Sequence, residues 1–268
     1  AILRASPLGR VLMYGVGTLL LTPPRSWRES HNYHHANVGK IAPEGEGAPV
    51  VTTDIGAYPM MSLEMWERAS KSERFRYRAR RHPVTIFCAY FTIFMGALCL
   101  GSTLSNPRKH WPGALIFLTH LGLLGGLFLA GGLAMMLFGY LIPLWIAAAM
   151  GAYLFYAQHS FPGARVYAPE DWNFFDAALG TASYFKLGRM MEWFTGSIGY
   201  HHVHHLNASI PFYRLREAMD AIPELQHPVI TRLRLRDIRD CFRANLWDPE
   251  NRCMVSYQDA RSGVAGPS

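Results

Sequence analysis

The sequence carries no Asp, Glu, Lys or Arg between Pro112 and Ala157. Charged residues are sparse overall, since the chain of 268 residues contains only 26 basic and 19 acidic ones. Their difference gives a net charge of +7. An uncharged stretch of this length excludes an ordinary water-facing surface there and is typical of a membrane protein. The charged flanks on both sides indicate a sizeable part of the chain in water.

Cysteine is also scarce, and its placement excludes several kinds of site. The four cysteines are Cys88, Cys99, Cys241 and Cys253, and their spacing matches no zinc or iron–sulfur motif. A disulfide framework is not indicated, so we expect reduced thiols on or near the cytoplasmic side of a membrane. No haem-attachment motif occurs either.

Apolar residues form one short stretch and a longer region after it. Residues 9–22 are too few to span a bilayer and end at two prolines, so we expect a short interfacial helix. Residues 83–104 open with a proline and contain two glycines, and we expect them to be embedded in the membrane without crossing it. Residues 112–157 predict a transmembrane hairpin that turns near Gly131 and Gly132.

A basic segment precedes the second apolar stretch. We expect residues 62–81 to form a polar helix on the cytoplasmic membrane surface, where basic residues beside apolar segments accumulate. A nucleic-acid-binding face is the alternative. The basic residues are Arg68, Lys71, Arg74, Arg76, Arg78, Arg80 and Arg81.

Histidines recur in one unusual spacing, His-x-x-His-His. It occurs twice, as His31, His34 and His35 and as His201, His204 and His205, which chance does not explain with 12 histidines in 268 residues. On a helix, residues i, i+3 and i+4 share a face, so each segment directs three imidazoles to one place. Imidazole suits Fe, Zn, Cu and Ni, and six converging nitrogens predict two metals or one unusually rich site. A pH-sensing or structural role is the alternative.

Two further histidines lie near these segments. His159 ends the uncharged hairpin on the side that the two segments are expected to share, and it is a candidate seventh ligand. Its alternative is an ordinary residue of the membrane interface. His202 lies between candidate ligands and about 100° away around the helix, so we expect it to support a ligand or to face solvent.

Four segments together resemble the integral-membrane fatty-acid desaturases, and most closely the bacterial acyl-lipid delta-12 (omega-6) type. They are TPPRSWRESHNYHHANVGK, YLFYAQHSF, EDWNFFDAALGTASYFKL and WFTGSIGYHHVHHLNASIPFYRL. The resemblance implies an all-α fold, in which an integral-membrane helical stem carries a cytoplasmic helical cap with a histidine-rich di-iron site. It implies a multi-pass protein of a bacterial inner membrane with its active site on the cytoplasmic side.

On this basis we expect three parts along the chain. Residues 1–82 hold the interfacial helix, the second histidine box of the family and part of the cap. Residues 83–157 form the membrane region, and residues 158–268 complete the cap with the third histidine box.

The resemblance also implies the cofactors and ligands of the site. Two non-haem iron ions, with O2 as co-substrate, would oxidise an acyl-lipid or fatty-acyl chain and introduce a cis double bond, at the delta-12 (omega-6) position. No amino-acid side chain can break such a C–H bond, so that chemistry belongs to the metal. By position in the family pattern, the iron ligands are His31, His34, His35, His159, His201, His204 and His205.

Other residues receive supporting roles. The electron donor would be of ferredoxin or cytochrome b5 type, and the basic face from Arg74 to Arg81 is its candidate docking surface, with anionic lipid headgroups as the alternative. The residues expected to orient the ligand imidazoles are Asp171, Asn173, Asp176 and His202. Aromatic residues expected to pack the cap or line an acyl tunnel include Phe185, Trp193 and Phe194.

One element of the family pattern has no counterpart, namely the first histidine box, which precedes the second by a few tens of residues. We expect the sequence to be N-terminally incomplete, and activity of this chain alone depends on that point. The alternatives left open are a related di-iron membrane hydroxylase or ketolase, a truncated non-catalytic homologue, and a metal-binding membrane protein such as a transporter. The position of the double bond, the substrate headgroup and the oligomeric state are also left open.

Overall fold

The computed structural model describes residues 6–43, 51 and 58–262. Residues 44–50 and 52–57 lie outside the described residues. The chain divides into two compact units. The apolar unit comprises Ala1–Asn32 and Pro83–Tyr153, and the polar unit comprises Tyr33–His82 and Leu154–Ser268.

Helices account for most of the first 159 residues. They are α1 (Pro7–Leu19), α2 (Pro24–Asn37), α3 (Leu63–Arg68), α4 (Lys71–Arg81), α5 (Pro83–Phe87), α6 (Ser102–Ser105), α7 (Pro107–Met136) and α8 (Ile142–His159). Two π-helical segments, Tyr90–Gly101 and Leu137–Leu141, lie before α6 and α8. The histidine-bearing segment at residues 31–35 is helical, as its spacing predicts.

The rest of the chain mixes short helices with short strands. The helices are α9 (Phe174–Gly180), α10 (Arg189–Phe194), α11 (His201–Leu206), α12 (Leu215–Ala221), α13 (Leu235–Arg243) and α14 (Asp259–Ser262), with 3-10 turns at Phe212–Arg214 and Pro223–Leu225. Strand β1 (Tyr184–Lys186) pairs in parallel with β2 (Ile230–Arg232), and β3 (Leu246–Asp248) pairs antiparallel with β4 (Cys253–Val255). The fold is therefore mainly helical, but the four strands depart from the expected all-α class.

Side-chain caps explain where several helices begin. Ser6 caps α1, Asn106 caps α7, and Ser70 caps α4 through a reciprocal capping box with Glu73. A single helix was expected over residues 62–81. In the structure the first helix ends at Arg68, and Ser70 caps the start of a second helix. The basic segment thus forms α3 and α4 instead of one continuous helix.

A long apolar helical stretch begins in the apolar unit and is broken at two glycines. Helical structure runs from Pro107 to His159, and an 18-residue window within it has a mean hydropathy of 2.1, so this stretch is long and apolar enough to cross a membrane. At Gly131 and Gly132 the backbone leaves helical geometry, with φ/ψ of −146°/16° and 69°/−168°. The second pair of angles is open essentially only to glycine. The turn lies at the two predicted glycines and divides the stretch.

The core of the apolar unit forms where its helical segments meet. Leu21, Tyr90, Cys99, Ile116 and Leu144 are buried together there. The side chain of His120 is also buried and contacts the hydroxyls of Tyr90 and Tyr140. Such pairing satisfies a polar ring that would otherwise be costly in apolar surroundings.

One arginine of the basic segment, Arg81, is buried in the polar unit and connects several of its segments. The Arg81 guanidinium donates to the carbonyls of Pro59 and Ala244 and to the hydroxyl of Ser160, at 2.9–3.0 Å. It also lies over the rings of Tyr77 and Tyr156. Arg81 is thus a structural residue of the interior and is not available as part of a docking surface.

Candidate metal centre

Helix α2 presents the first group of histidines. Its start follows from Pro23 and Pro24, since proline is tolerated in the first turn of a helix. His31, His34 and His35 then fall on neighbouring turns, and His34 is fully buried. The ring of His31 stacks on Trp27, with the ring centroids 4.6 Å apart.

Helix α11 presents the second group. It packs against α9, and Val203 on its inner side is buried in a cluster with Tyr184, Leu215 and Leu225. This packing holds the opposite side of the short helix, where His201, His204 and His205 project. His201 and His205 are buried, whereas His204 is half-buried.

Four imidazoles meet at one point, and His159 at the end of α8 is among them. The Nε2 atom of His159 lies 3.0 Å from that of His34, 2.9 Å from that of His201 and 3.2 Å from that of His205. The Nε2 atom of His205 lies 3.1 Å from those of both His34 and His201. Each of the four rings therefore directs its own Nε2 atom toward the common centre.

Three imidazoles form a second group beside the first. The Nε2 atoms of His35 and His204 are 3.1 Å apart. His31, one turn before His35 on the same continuous helix, completes this group, whose ligand atoms all lie within 4.8 Å of one another. The rings of His35 and His205 stack with centroids 4.3 Å apart, so the two groups are adjacent.

One hydrogen bond sets the proton position on His159. Its Nδ1 atom lies 2.9 Å from the backbone carbonyl of Thr181, which can only accept a hydrogen bond. Nδ1 therefore carries the proton, and Nε2 of the neutral ring offers its lone pair to the centre of the four-histidine group. The sequence held no signal for this partner, because it is a main-chain atom at the end of α9.

Burial favours the neutral form of two imidazoles of the site, His205 and His35. Loss of solvation, followed by the neighbouring rings of His201 and His159, lowers the pKa of His205 well below its ordinary value. Loss of solvation also lowers the pKa of His35. Neutral imidazole is the form that binds metal, so the lowered pKa values leave His205 and His35 available as ligands at neutral pH.

The two groups suit first-row transition metals. Two nitrogens bound to one ion at about 2.0–2.1 Å are about 2.9 Å apart at a right angle and about 3.3 Å apart in a tetrahedron. The Nε2 separations of 2.9–3.2 Å in the four-histidine group match this range. The donors are nitrogen only, which favours iron, zinc, copper or nickel over magnesium or calcium.

The four residues expected to orient the ligand imidazoles have other surroundings in the structure. Asn173 caps α9, and its amide lies 2.6 Å from the carboxylate of Asp176. Asp171 is exposed in the preceding turn. His202 is buried instead of facing solvent, and its Nε2 atom lies 3.3 Å from the carbonyl of Leu225. Among the hydrogen bonds that the structure defines for these four residues, none reaches a candidate ligand.

A small cavity in the polar unit reaches His159. It has a volume of about 30 Å³, and its lining includes Tyr58, Arg81, Ser160 and Thr181. A cavity of this size is large enough for one water molecule.

The chain is similar to known proteins over most of its length. A family model described as fatty acid desaturase matches residues 3–233. A fatty acid desaturase of Bacillus subtilis is 29% identical over 92% of this chain and 68% of its own length. An sn-1 acyl-lipid omega-3 desaturase (ferredoxin) of Nostoc sp. is 26% identical, and a delta(12)-fatty-acid desaturase of Arabidopsis thaliana is 27% identical. Each of these two covers 76% of this chain and 55% of the relative.

The relatives also include a different activity. An oleoyl-12-hydroxylase of Ricinus communis is 23% identical over 94% of this chain and 65% of its own length. The chain thus spans between about half and two thirds of the curated relatives it matches. Since the family model covers most of its residues, the chain belongs to the fatty acid desaturase family.

Proposed function

We propose that the protein is an acyl-lipid desaturase that uses two non-haem iron ions at the paired histidine groups. The observation that carries this proposal is the convergence of seven imidazoles into adjacent groups of four and three. A lone zinc site needs four ligands, so seven are more than one such ion requires. The nitrogen-only donor set suits iron, and membership of the family favours iron over the other metals that imidazole binds.

The metal would supply the oxidation, because iron with O2 and two external electrons can break an unactivated C–H bond. The protein's own residues have other tasks. His34, His159, His201 and His205 would hold one ion, and His31, His35 and His204 would contribute to the second. The carbonyl of Thr181 would keep His159 in the tautomer that binds through Nε2.

We propose an acyl chain in a membrane lipid as the substrate and the delta-12 (omega-6) position as the site of the new double bond. The name of the Arabidopsis relative and the motifs of the third histidine segment support this choice. The membrane hairpin of residues 107–159 would hold the enzyme in the bilayer that contains the substrate, with the site on the cytoplasmic side.

Electrons would come from a separate carrier, for which a ferredoxin is the first candidate because the Nostoc relative is named for one. Three arginines of the basic segment are unsuitable for docking it. Arg74 and Arg78 lie over the ring of Trp66, and Arg81 is buried. The exposed members of α4, Lys71, Arg76 and Arg80, are the side chains that could meet an acidic carrier.

Lipid analysis tests the proposal. The full-length gene product is expressed in a host that makes no polyunsaturated fatty acid, and the total lipids are examined by gas chromatography with mass spectrometry. We expect a new diene at one defined position, and its loss in His204→Ala. A matched His227→Ala variant, in which an exposed histidine outside the site is removed, should retain the product.

A membrane hydroxylase is the second candidate, since the Ricinus relative matches almost the whole chain. The same lipid extract separates the two, because a hydroxylated monoene would replace the diene. Absence of both products from protein that has bound iron would contradict both candidates.

A further inference from the structure

Five large apolar side chains of the polar unit lie open to solvent on either side of α11. On α10, Met190 is 70% exposed, Trp193 77% and Phe194 68%. In the 3-10 turn that follows α11, Phe212 and Tyr213 are each 59% exposed. Two of the aromatic residues expected to pack the cap or line a tunnel are therefore on the surface, unlike the fully buried Phe185.

These side chains form one surface, called here the aromatic patch. The rings of Trp193 and Phe194 are 5.0 Å apart between centroids, and those of Phe212 and Tyr213 are 5.4 Å apart. Gly196, two residues beyond α10, brings the two pairs together, since a Cβ there would lie 3.8 Å from the ring of Phe212. An exposed apolar group of this size on a folded domain indicates a binding surface.

Positive charge surrounds the aromatic patch. Lys186 and Arg189 precede it, and Arg214 and Arg216 follow it, all four exposed. Residues 186–217 contain only two carboxylates, and one of these, Glu217, pairs with Arg214 at 2.9 Å. The surface thus combines exposed aromatic rings with a net positive border.

We propose that the aromatic patch lies in the headgroup region of a bilayer that contains anionic phospholipid. Tryptophan, tyrosine and phenylalanine concentrate at that depth, and lysine and arginine beside them attract anionic headgroups. A soluble acidic partner would match the cations but would not by itself account for Met190, Trp193 and Phe194 projecting outward. The chain also contains a stretch that is long and apolar enough to cross a membrane, which favours a bilayer as the occupant.

The patch would have a consequence for the site. Its two halves flank α11, the helix that carries His201, His204 and His205. Attachment at both ends of α11 would hold these imidazoles at a constant depth relative to the membrane surface. An acyl chain that leaves the bilayer would then meet the histidine groups at a constant distance from its headgroup.

Environment-sensitive labels test this contact without an activity measurement, so the result does not depend on the proposed reaction. Cys88 and Cys253, which are half-buried, are first replaced by serine. Trp193→Cys, Phe194→Cys and Phe212→Cys are then prepared singly, labelled with NBD, and reconstituted in vesicles of phosphatidylcholine and phosphatidylglycerol. Glu250→Cys, at the exposed turn between β3 and β4, is the matched control, and three labelled positions guard against one variant that fails to fold.

We expect blue-shifted emission at the three patch positions and about a twofold loss of emission when brominated lipids replace the ordinary ones. The Glu250→Cys label should show neither effect and should instead be quenched by aqueous iodide. Patch labels that behave like the control would overturn the proposal. So would patch labels that become shielded only when an acidic ferredoxin is added, because the surface would then be a protein-docking face.

Discussion

Individual histidines of the site differ in how firmly they are placed. His205 contacts three other imidazoles through Nε2 and stacks on His35, so it belongs to the four-histidine group and touches the three-histidine group. His159 is oriented by a main-chain carbonyl and cannot rotate without losing that bond. His31 and His204 are half-buried and face the more open side.

The central position of His205 makes it the candidate ligand whose loss we expect to weaken metal binding most. In His205→Ala the four-histidine group keeps three nitrogen donors. Loss of a residue that only hydrogen-bonds a metal ligand typically lowers metal affinity by roughly 10–100-fold. We expect the loss of His205 to lower the metal affinity by more than this. Iron per chain, measured by plasma mass spectrometry after dialysis, should drop by about half or more. His227→Ala should match the unsubstituted protein, and equal iron in the two variants would remove His205 from the site.

We expect Arg81 to contribute to the free energy of unfolding and not to the reaction at the histidine groups. Arg81→Met would leave the carbonyls of Pro59 and Ala244 buried without their donor, and we expect a loss of about 3 kcal/mol in the free energy of unfolding. Arg80→Met, at the exposed neighbouring position, should change it by less than about 0.5 kcal/mol. Thermal unfolding in detergent measures both, and similar midpoints for the two variants would contradict the structural role of Arg81.

Among the elements, the long apolar stretch from Pro107 to His159 depends on its break at Gly131 and Gly132. Gly132 has φ 69° and ψ −168°, which an L-residue with a Cβ avoids. We expect Gly132→Ala to destabilise the protein by about 1–3 kcal/mol. Gly126→Ala is the control, because a Cβ at that helical position meets nothing within 4 Å and alanine favours a helix.

The comparison of the two glycine variants is again made by thermal unfolding in detergent. A lower midpoint for Gly132→Ala alone supports the turn. Equal midpoints would mean that residues 131–132 do not need the special backbone geometry.

Periodicity and spacing predicted the elements that carry the site. The His-x-x-His-His spacing placed both histidine segments on helices, and the paired glycines of the uncharged stretch lie where the helical geometry is broken. The short strands β1–β4 were not predicted, because each has only three residues and the pairing of β1 with β2 joins segments distant in the sequence. The break between α3 and α4 depends on one capping box, which a count of charged residues does not reveal.

Side-chain environment was harder to predict than secondary structure. Arg81 and Arg76 both belong to one basic run, yet the first is buried among tyrosines and the second is exposed. Trp193 and Phe194 were expected inside the protein and are outside. In each case the outcome depends on which elements pack against the residue, and a single sequence does not contain that information directly.

At the scale of the whole molecule, the candidate ligands come from three places in the chain. They lie on α2, at the end of α8 and on α11, and so the fold must bring residues 31–35, 159 and 201–205 together before any metal can bind. Metal binding should in turn stabilise that arrangement, because the unfolded chain has no preformed site. The family to which the chain belongs is consistent with a site assembled in this way.

The most direct test of the central claim is the metal content of the purified full-length protein. Plasma mass spectrometry combined with Mössbauer spectroscopy of protein grown on iron-57 measures both the number of metal ions and their identity. We expect two iron ions per chain, with spectra of nitrogen-ligated iron that change when a histidine of either group is replaced. A single zinc ion per chain, or protein that folds normally and binds no iron, would contradict the claim.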